Sequence, residues 1–148
     1  MNPKEAKLKN YTSSVPADRS IMKIEQRLVE IGASHIAKSY ERGSLTGIIF
    51  QADNLTYKLP AYVSRIEEMM LSQITKPRPG TKDRITDQAC RTGWKLLLDW
   101  VEVQTTLIVI GRRHIIEVFL PYVYDFQKDQ TFYQQLEQTK FKMLPGPK

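Results

Sequence analysis

Residues 83–110 read DRITDQACRTGWKLLLDWVEVQTTLIVI and form the longest segment of regular helical pattern in the chain. Its apolar residues follow helical spacing on two adjacent tracks. The first track is Ile85, Ala89, Leu96, Trp100, Val103, Leu107 and Ile110, and the second is Cys90, Trp94, Leu97, Val101 and Ile108. A helix that is apolar over most of its circumference is normally buried. The sequence therefore predicts a long buried helix at the centre of the fold.

Upstream of this helix, the sequence predicts one shorter helix and a small sheet. Residues 11–15 are expected to form a strand that ends at Pro16. The following helix has one buried stripe, and Gly32 is placed to end it. The stripe consists of Ile21, Ile24, Leu28 and Ile31. Alternating apolar residues and turn residues then predict a three-stranded meander at 34–40, 45–51 and 55–59.

Downstream of the meander, three further helices and one loop are predicted. Helices are expected at 61–74, 114–120 and 132–138. Residues 75–82 contain two prolines, a glycine and only positive charges, which predicts a mobile basic loop. The fold class is therefore α+β, with the N-terminal strand and the meander forming a small antiparallel sheet against helices. We expect one domain over residues 1–148, with a polar tail at 1–10.

Composition and charge narrow the class of protein. The chain of 148 residues has 41% hydrophobic residues, a net charge of +6 and one cysteine. A single cysteine favours a reducing compartment, and no apolar run has the length of a signal peptide core or a membrane span. We therefore expect a soluble cytoplasmic protein with no membrane partner. The positive charge favours polyanionic partners, although many soluble proteins carry such a charge without an anionic ligand.

No catalytic or cofactor-binding constellation is recognisable, so we predict a protein that is not an enzyme and that holds no metal or cofactor. His35 and His114 have no neighbours at metal-ligand spacing, and Cys90 lies on an apolar side of the long helix. Asp99 and Glu102 leave two interpretations open. They belong either to a solvated helix face with ion pairs or to a carboxylate pair in a pocket.

Basic residues give the strongest indication of a binding site. They cluster in the loop, continue along the long helix and recur after it, which is a plausible surface for phosphate contacts. The candidate residues are Lys76, Arg78, Lys82, Arg84, Arg91, Lys95, Arg112 and Arg113, with Lys38 and Arg42 beside the last two in a second cluster. The alternative to a binding surface is a solvated linker whose charges serve only to keep it soluble. Some of the seven tyrosines could stack on bases, or they could be packing residues.

Three segments resemble a family of small proteins encoded by phages and prophages. They are WKLLLDWVEVQ at 94–104, VFLPY at 118–122 and FKMLP at 141–145. The resemblance extends over nearly the whole chain and transfers no site residues, because the family has no established activity. The resemblance implies that the chain is encoded by a mobile element. A function in the cytoplasm of the host is then expected, either acting on nucleic acid or counteracting host defences.

Two functions of different classes follow. The first is a non-enzymatic accessory protein that binds nucleic acid through phosphate contacts. The alternative is a counter-defence protein that inhibits a host immune factor, either by binding the host protein or by sequestering its nucleotide signal. A nucleotide-sequestering protein would need a deep pocket, whereas a phosphate-binding surface needs only exposed cations.

Overall fold

The computed structural model describes residues 8–111 and 114–147. The helices are α1 (Ala17–Glu30), α2 (Val63–Ser72), α3 (Thr81–Gly111), α4 (Ile115–Phe119) and α5 (Phe132–Gln138), with a 3-10 turn at Leu120–Tyr122. The strands are β1 (His35–Glu41), β2 (Ser44–Ala52), β3 (Leu55–Pro60), β4 (Tyr124–Asp125) and β5 (Gln130–Thr131). The first three strands form one antiparallel sheet in the order β1-β2-β3, and β4 pairs with β5. The predicted α+β class is confirmed.

The chain divides into two compact units. Unit 1 consists of Met1–Arg27 and Pro60–Gln104, and unit 2 of Leu28–Leu59 and Thr105–Lys148. The points of division fall within α1, β3 and α3. The expectation of one domain stays a prediction. Within residues 8–111 and 114–147, no helix combines the length and the apolar character needed to cross a bilayer.

The core of unit 1 is centred on Trp94, which is completely buried. The residues Ile24, Leu98 and Val101 are also buried, each with at most 1% of its surface exposed. Gly93 lies where α2 and α3 approach closely, since a Cβ at this position would be 3.0 Å from Val63 Cγ2. The missing side chain lets the two helices pack at this short distance.

Helix α3 is buried on one side only. Trp94, Leu97 and Val101 of the second track are buried, together with Ala89 of the first track and with Leu98, which lies on neither track. The first track becomes exposed toward the end of the helix, where Val103 is 56% and Ile110 is 71% exposed. The expectation that both tracks are covered was therefore wrong. Apolar residues contribute much of the surface of any folded protein, so helical spacing alone does not guarantee burial.

An aromatic cluster forms the core of unit 2. The rings of Phe50 and Tyr57 stack with centroids 5.0 Å apart, and Phe119 of α4 packs edge-on against both at 5.5 and 6.0 Å. All three side chains are fully buried. The sheet is thus covered by a helix of the same unit, and a bridge between Tyr57 and Val123 connects β3 to the C-terminal segment.

Turn residues end the elements of unit 2 where the sequence predicts. Gly32 follows α1 with φ +104°. Arg42 and Gly43 join β1 to β2, and Asp53 and Asn54 join β2 to β3, all four with positive φ. A turn of two consecutive residues with positive φ matches the right-handed twist of the flanking strands. This match explains why tight hairpins form at both positions.

The expected N-terminal strand is absent, and residues 11–15 form turns and irregular structure instead. Asn10 has φ +64°, and Ser13 N donates to its carbonyl oxygen at 2.9 Å. The carbonyl groups of Asn10 and Ser13 also accept hydrogen bonds from side chains of α3. These contacts satisfy backbone groups that a strand would have offered to a sheet, so the weak strand propensity of this segment is overridden.

Candidate nucleic-acid interface

Four of the predicted contact residues lie together at the start of α3 and in the loop before it. We call Lys76, Arg78, Lys82 and Arg84 the loop cations. All four are exposed. Within the part of the chain that the structure describes, none of their side chains makes an ion pair or a hydrogen bond. Asp83 is the one acidic residue among positions 75–84, so this surface has a net positive charge.

Hydrogen bonds donated by backbone amides give the end of the loop a defined turn. Thr81 N donates to Arg78 O at 3.0 Å, and Arg78 N donates to Thr81 Oγ1 at 3.1 Å. Gly80 has φ +82°, and its carbonyl accepts from Arg84 N at 3.2 Å. Helix α3 consequently begins at Thr81, so the last two residues of the loop predicted at 75–82 are helical. The predicted mobility of the rest stays a prediction.

Arg91 and Lys95 have structural partners, in contrast to the loop cations. Arg91 Nε donates to Ser13 O at 3.3 Å, and Arg91 Nη2 donates to Gln88 Oε1 at 2.6 Å. Gln88 Nε2 donates to the same Ser13 carbonyl at 3.1 Å. Thr92, which is fully buried, donates through Oγ1 to Asn10 O at 2.9 Å.

Asp99 completes this arrangement. Its carboxylate accepts from Lys95 Nζ and from Asn10 Nδ2, each at 2.8 Å, and lies 3.5 Å from Lys9 Nζ. Burial alone would raise the pKa of Asp99, but the hydrogen bonds from Lys95 and Asn10 and the charges of both lysines outweigh it and hold the pKa below its usual value. We call the α3 side chains that hold residues 9–13 the polar clamp. They are Gln88, Arg91, Thr92, Lys95 and Asp99.

The Lys95–Asp99 ion pair of the first interpretation is present. The helix face is not solvated at Asp99, however, because this side chain is only 22% exposed and accepts a hydrogen bond from Asn10. For Glu102 both interpretations stay open. Within the described residues, no group of three His, Cys, Asp or Glu side chains is placed to hold a metal ion. The remaining predicted contact residues, Arg112 and Arg113, lie outside the described residues. Lys38 of β1 and Arg42 of the following turn are exposed in unit 2.

The remaining candidates for chemistry occupy ordinary environments. Cys90 is half-buried beside a shallow depression of about 500 Å³ between residues 12–17 and α3. Burial raises the pKa of the Cys90 thiol, the carboxylates of Asp87 and Asp18 raise it further, and Arg91 opposes them. A raised pKa disfavours the reactive thiolate. His114 is exposed and directly precedes α4.

Comparison with protein-family models, with curated proteins and with solved structures finds no match for this chain.

Sequence reasoning missed the N-terminal partners of the polar clamp. Asn10 and Ser13 contribute mainly through their backbone carbonyls, which leave no signal in the identity of the side chain. The polar stripe along α3 was visible in the sequence, but its partners lie more than 70 residues away in the chain. Nothing in the local pattern distinguishes a stripe that faces solvent from one that holds another segment.

Proposed function

We propose that this protein binds nucleic acid through phosphate contacts made by the loop cations, without catalysing a reaction. One observation supports this proposal above the others. The loop cations are exposed and unpaired in the described chain, whereas Arg91 and Lys95 of α3 are bonded to other residues. An exposed cation without a protein partner can exchange its counterions for a phosphate group at little cost to folding.

Arginine and lysine have complementary roles on such a surface. The planar guanidinium groups of Arg78 and Arg84 can each bind one phosphate through two hydrogen bonds, whereas Lys76 and Lys82 act as point charges. Contacts of this kind position a protein on a nucleic acid without reading its sequence. We therefore expect binding that depends little on sequence and strongly on salt.

The test replaces all four loop cations with alanine and measures binding of fluorescent nucleic acid at low salt by anisotropy. The matched control replaces four other exposed cations with alanine, which lowers the net charge by the same amount. They are Arg19, Lys23, Lys140 and Lys142. We expect the loop variant to lose most of its affinity and the control variant to keep most of it, with similar melting temperatures for both.

Equal losses in the two variants would mean that only total charge matters, and the proposed surface would be wrong. If the wild-type protein binds no nucleic acid even at low salt, the proposal fails. The alternative counter-defence function, with a host protein or a nucleotide as the ligand, would then be the one to pursue.

A further inference from the structure

Unit 2 contains a shallow groove of about 320 Å³ that crosses the three strands of the main sheet. Its lining includes His35 and Ala37 of β1, Ile49 and Gln51 of β2, Thr56 of β3, and Phe126 from the turn between β4 and β5. Among the described residues, no Asp, Glu, Lys or Arg side chain lines it. The groove therefore suits a small neutral group better than a phosphate.

Phe126 presents an exposed aromatic ring at this groove. The side chain is 62% exposed, yet its ring is held by an edge-on contact with Tyr124 at 4.9 Å. Tyr124 is fixed in turn, because its hydroxyl donates to Asp129 and Lys58 Nζ lies 5.0 Å from the centre of its ring. Lys58 and Asp129 also form an ion pair at 3.9 Å. An exposed aromatic ring that packs against a fixed neighbour is available for stacking.

The polar groups of the groove have unused hydrogen-bonding capacity. Gln51 Nε2 and Thr56 Oγ1 are 3.5 Å apart, which is at the limit of a hydrogen bond. Nδ1 of His35 lies 3.1 Å from Ser34 Oγ, and its Nε2 has no partner within the described chain. An amide, a hydroxyl and an imidazole can together donate to and accept from the edge of a base.

We propose that this groove binds one unpaired nucleobase, stacked on Phe126 and hydrogen-bonded at its edge by His35, Gln51 or Thr56. The inference rests on the proposed function, since phosphate contacts at the loop cations would supply the general affinity and the groove would add a preference for single strands. Only an unpaired, unstacked base can enter, because in a duplex the faces of a base are covered by stacking and its Watson–Crick edge is occupied by the paired base. The tyrosines proposed from sequence as a platform are not the stacking residues here, and Tyr57 lies in the core.

The test compares a short oligothymidylate with an abasic oligonucleotide of the same length, which keeps the phosphates and lacks the bases. Stacking of one base on an aromatic side chain predicts about 5- to 150-fold tighter binding of the oligothymidylate. Phe126→Ala should reduce this ratio to about one, and Phe126→Tyr should retain it. Tyr133→Ala is the matched control, because Tyr133 is 49% exposed and does not line the groove.

The two proposals fail in different ways. If wild type binds both oligonucleotides equally, or if Phe126→Ala keeps the preference for bases, the stacking site is wrong while the phosphate surface stands. If the loop-cation variant loses affinity for both oligonucleotides by the same factor, the division of roles is supported. If wild type binds neither oligonucleotide, both proposals are overturned. A thermal melt of Phe126→Ala verifies that the variant is folded.

Discussion

Replacing Asp99 with alanine removes one of the four polar-clamp residues that bind the N-terminal segment directly. The variant loses the hydrogen bonds from Lys95 and Asn10 at 2.8 Å and the weaker ion pair with Lys9 at 3.5 Å. The Lys9 side chain is 64% exposed, so its contribution is close to zero. Asp99 and Lys95 are only 22% and 26% exposed, which places their interaction above that of an ordinary surface pair.

The expected cost of Asp99→Ala follows from these contacts. A hydrogen bond to a charged group contributes about 1.5–3 kcal/mol when shielded, and partial exposure reduces this, so we expect a loss of about 2 kcal/mol in the free energy of unfolding. For a chain of this length, such a loss lowers the melting temperature by about 4–8 °C. The matched control is Asp87→Ala, which removes an exposed carboxylate from the same helix and should change stability by less than about 0.5 kcal/mol.

The stabilisation by Asp99 also has a predictable pH dependence. Because the pKa of Asp99 is lowered in the folded protein, its contribution is fully present above the unfolded value of about 3.9 and is lost as the pH falls through the folded value. The difference in melting temperature between wild type and Asp99→Ala should therefore be constant near neutral pH and shrink below about pH 4. Thermal unfolding followed by circular dichroism from pH 3 to 7 measures this.

The clamp can also open locally without global unfolding. Amide hydrogen exchange at Ser13 and Val15 should therefore accelerate in Asp99→Ala. A variant with the melting temperature of wild type and unchanged exchange at these two amides would refute the clamp. A stability difference that stays the same from pH 7 to pH 3 would refute the ionised state of Asp99 as its cause.

Two further predictions concern the core and the cysteine. Trp94→Ala should lower the free energy of unfolding in urea by about 3–5 kcal/mol, because Trp94 is fully buried. Trp100→Ala should lower it clearly less, because Trp100 is partly exposed. Equal losses in the two variants would contradict the assigned core. Cys90 should react with iodoacetamide at neutral pH more slowly than an unperturbed thiol, because burial and the charge of Asp87 raise the pKa of its thiol. A rate above that of free cysteine would contradict this expectation.

Much of the fold could be predicted because local patterns are strong where one face of an element is buried. The stripe that contains Ile24 and Leu28 located α1, and the turn residues Asp53 and Asn54 located the hairpin between β2 and β3. The central helix was recognisable from its length. Which of its two tryptophans is fully buried could not be decided, since both lie on apolar tracks and only the tertiary packing distinguishes Trp94 from Trp100.

The N-terminal segment shows where local prediction stops. Residues 11–15 resemble a strand, but their backbone groups bond to side chains of α3 that are distant in the chain. The same contacts decide which cations are free, because Arg91 is engaged by Ser13 O while Arg78 keeps an unpaired side chain among the described residues. A list of basic residues therefore located the candidate surface, and the structure separated cations with protein partners from those without.

The salt dependence of nucleic-acid binding tests the phosphate surface most directly. Four phosphate contacts predict a slope of about −2.8 to −3.6 in a plot of log K against log salt concentration. Each single replacement among the loop cations should reduce its magnitude by about 0.7–0.9. Arg91→Ala should leave the slope unchanged, since that side chain is engaged by the polar clamp. Slopes that are the same in wild type and in the variant lacking all four loop cations would contradict the account.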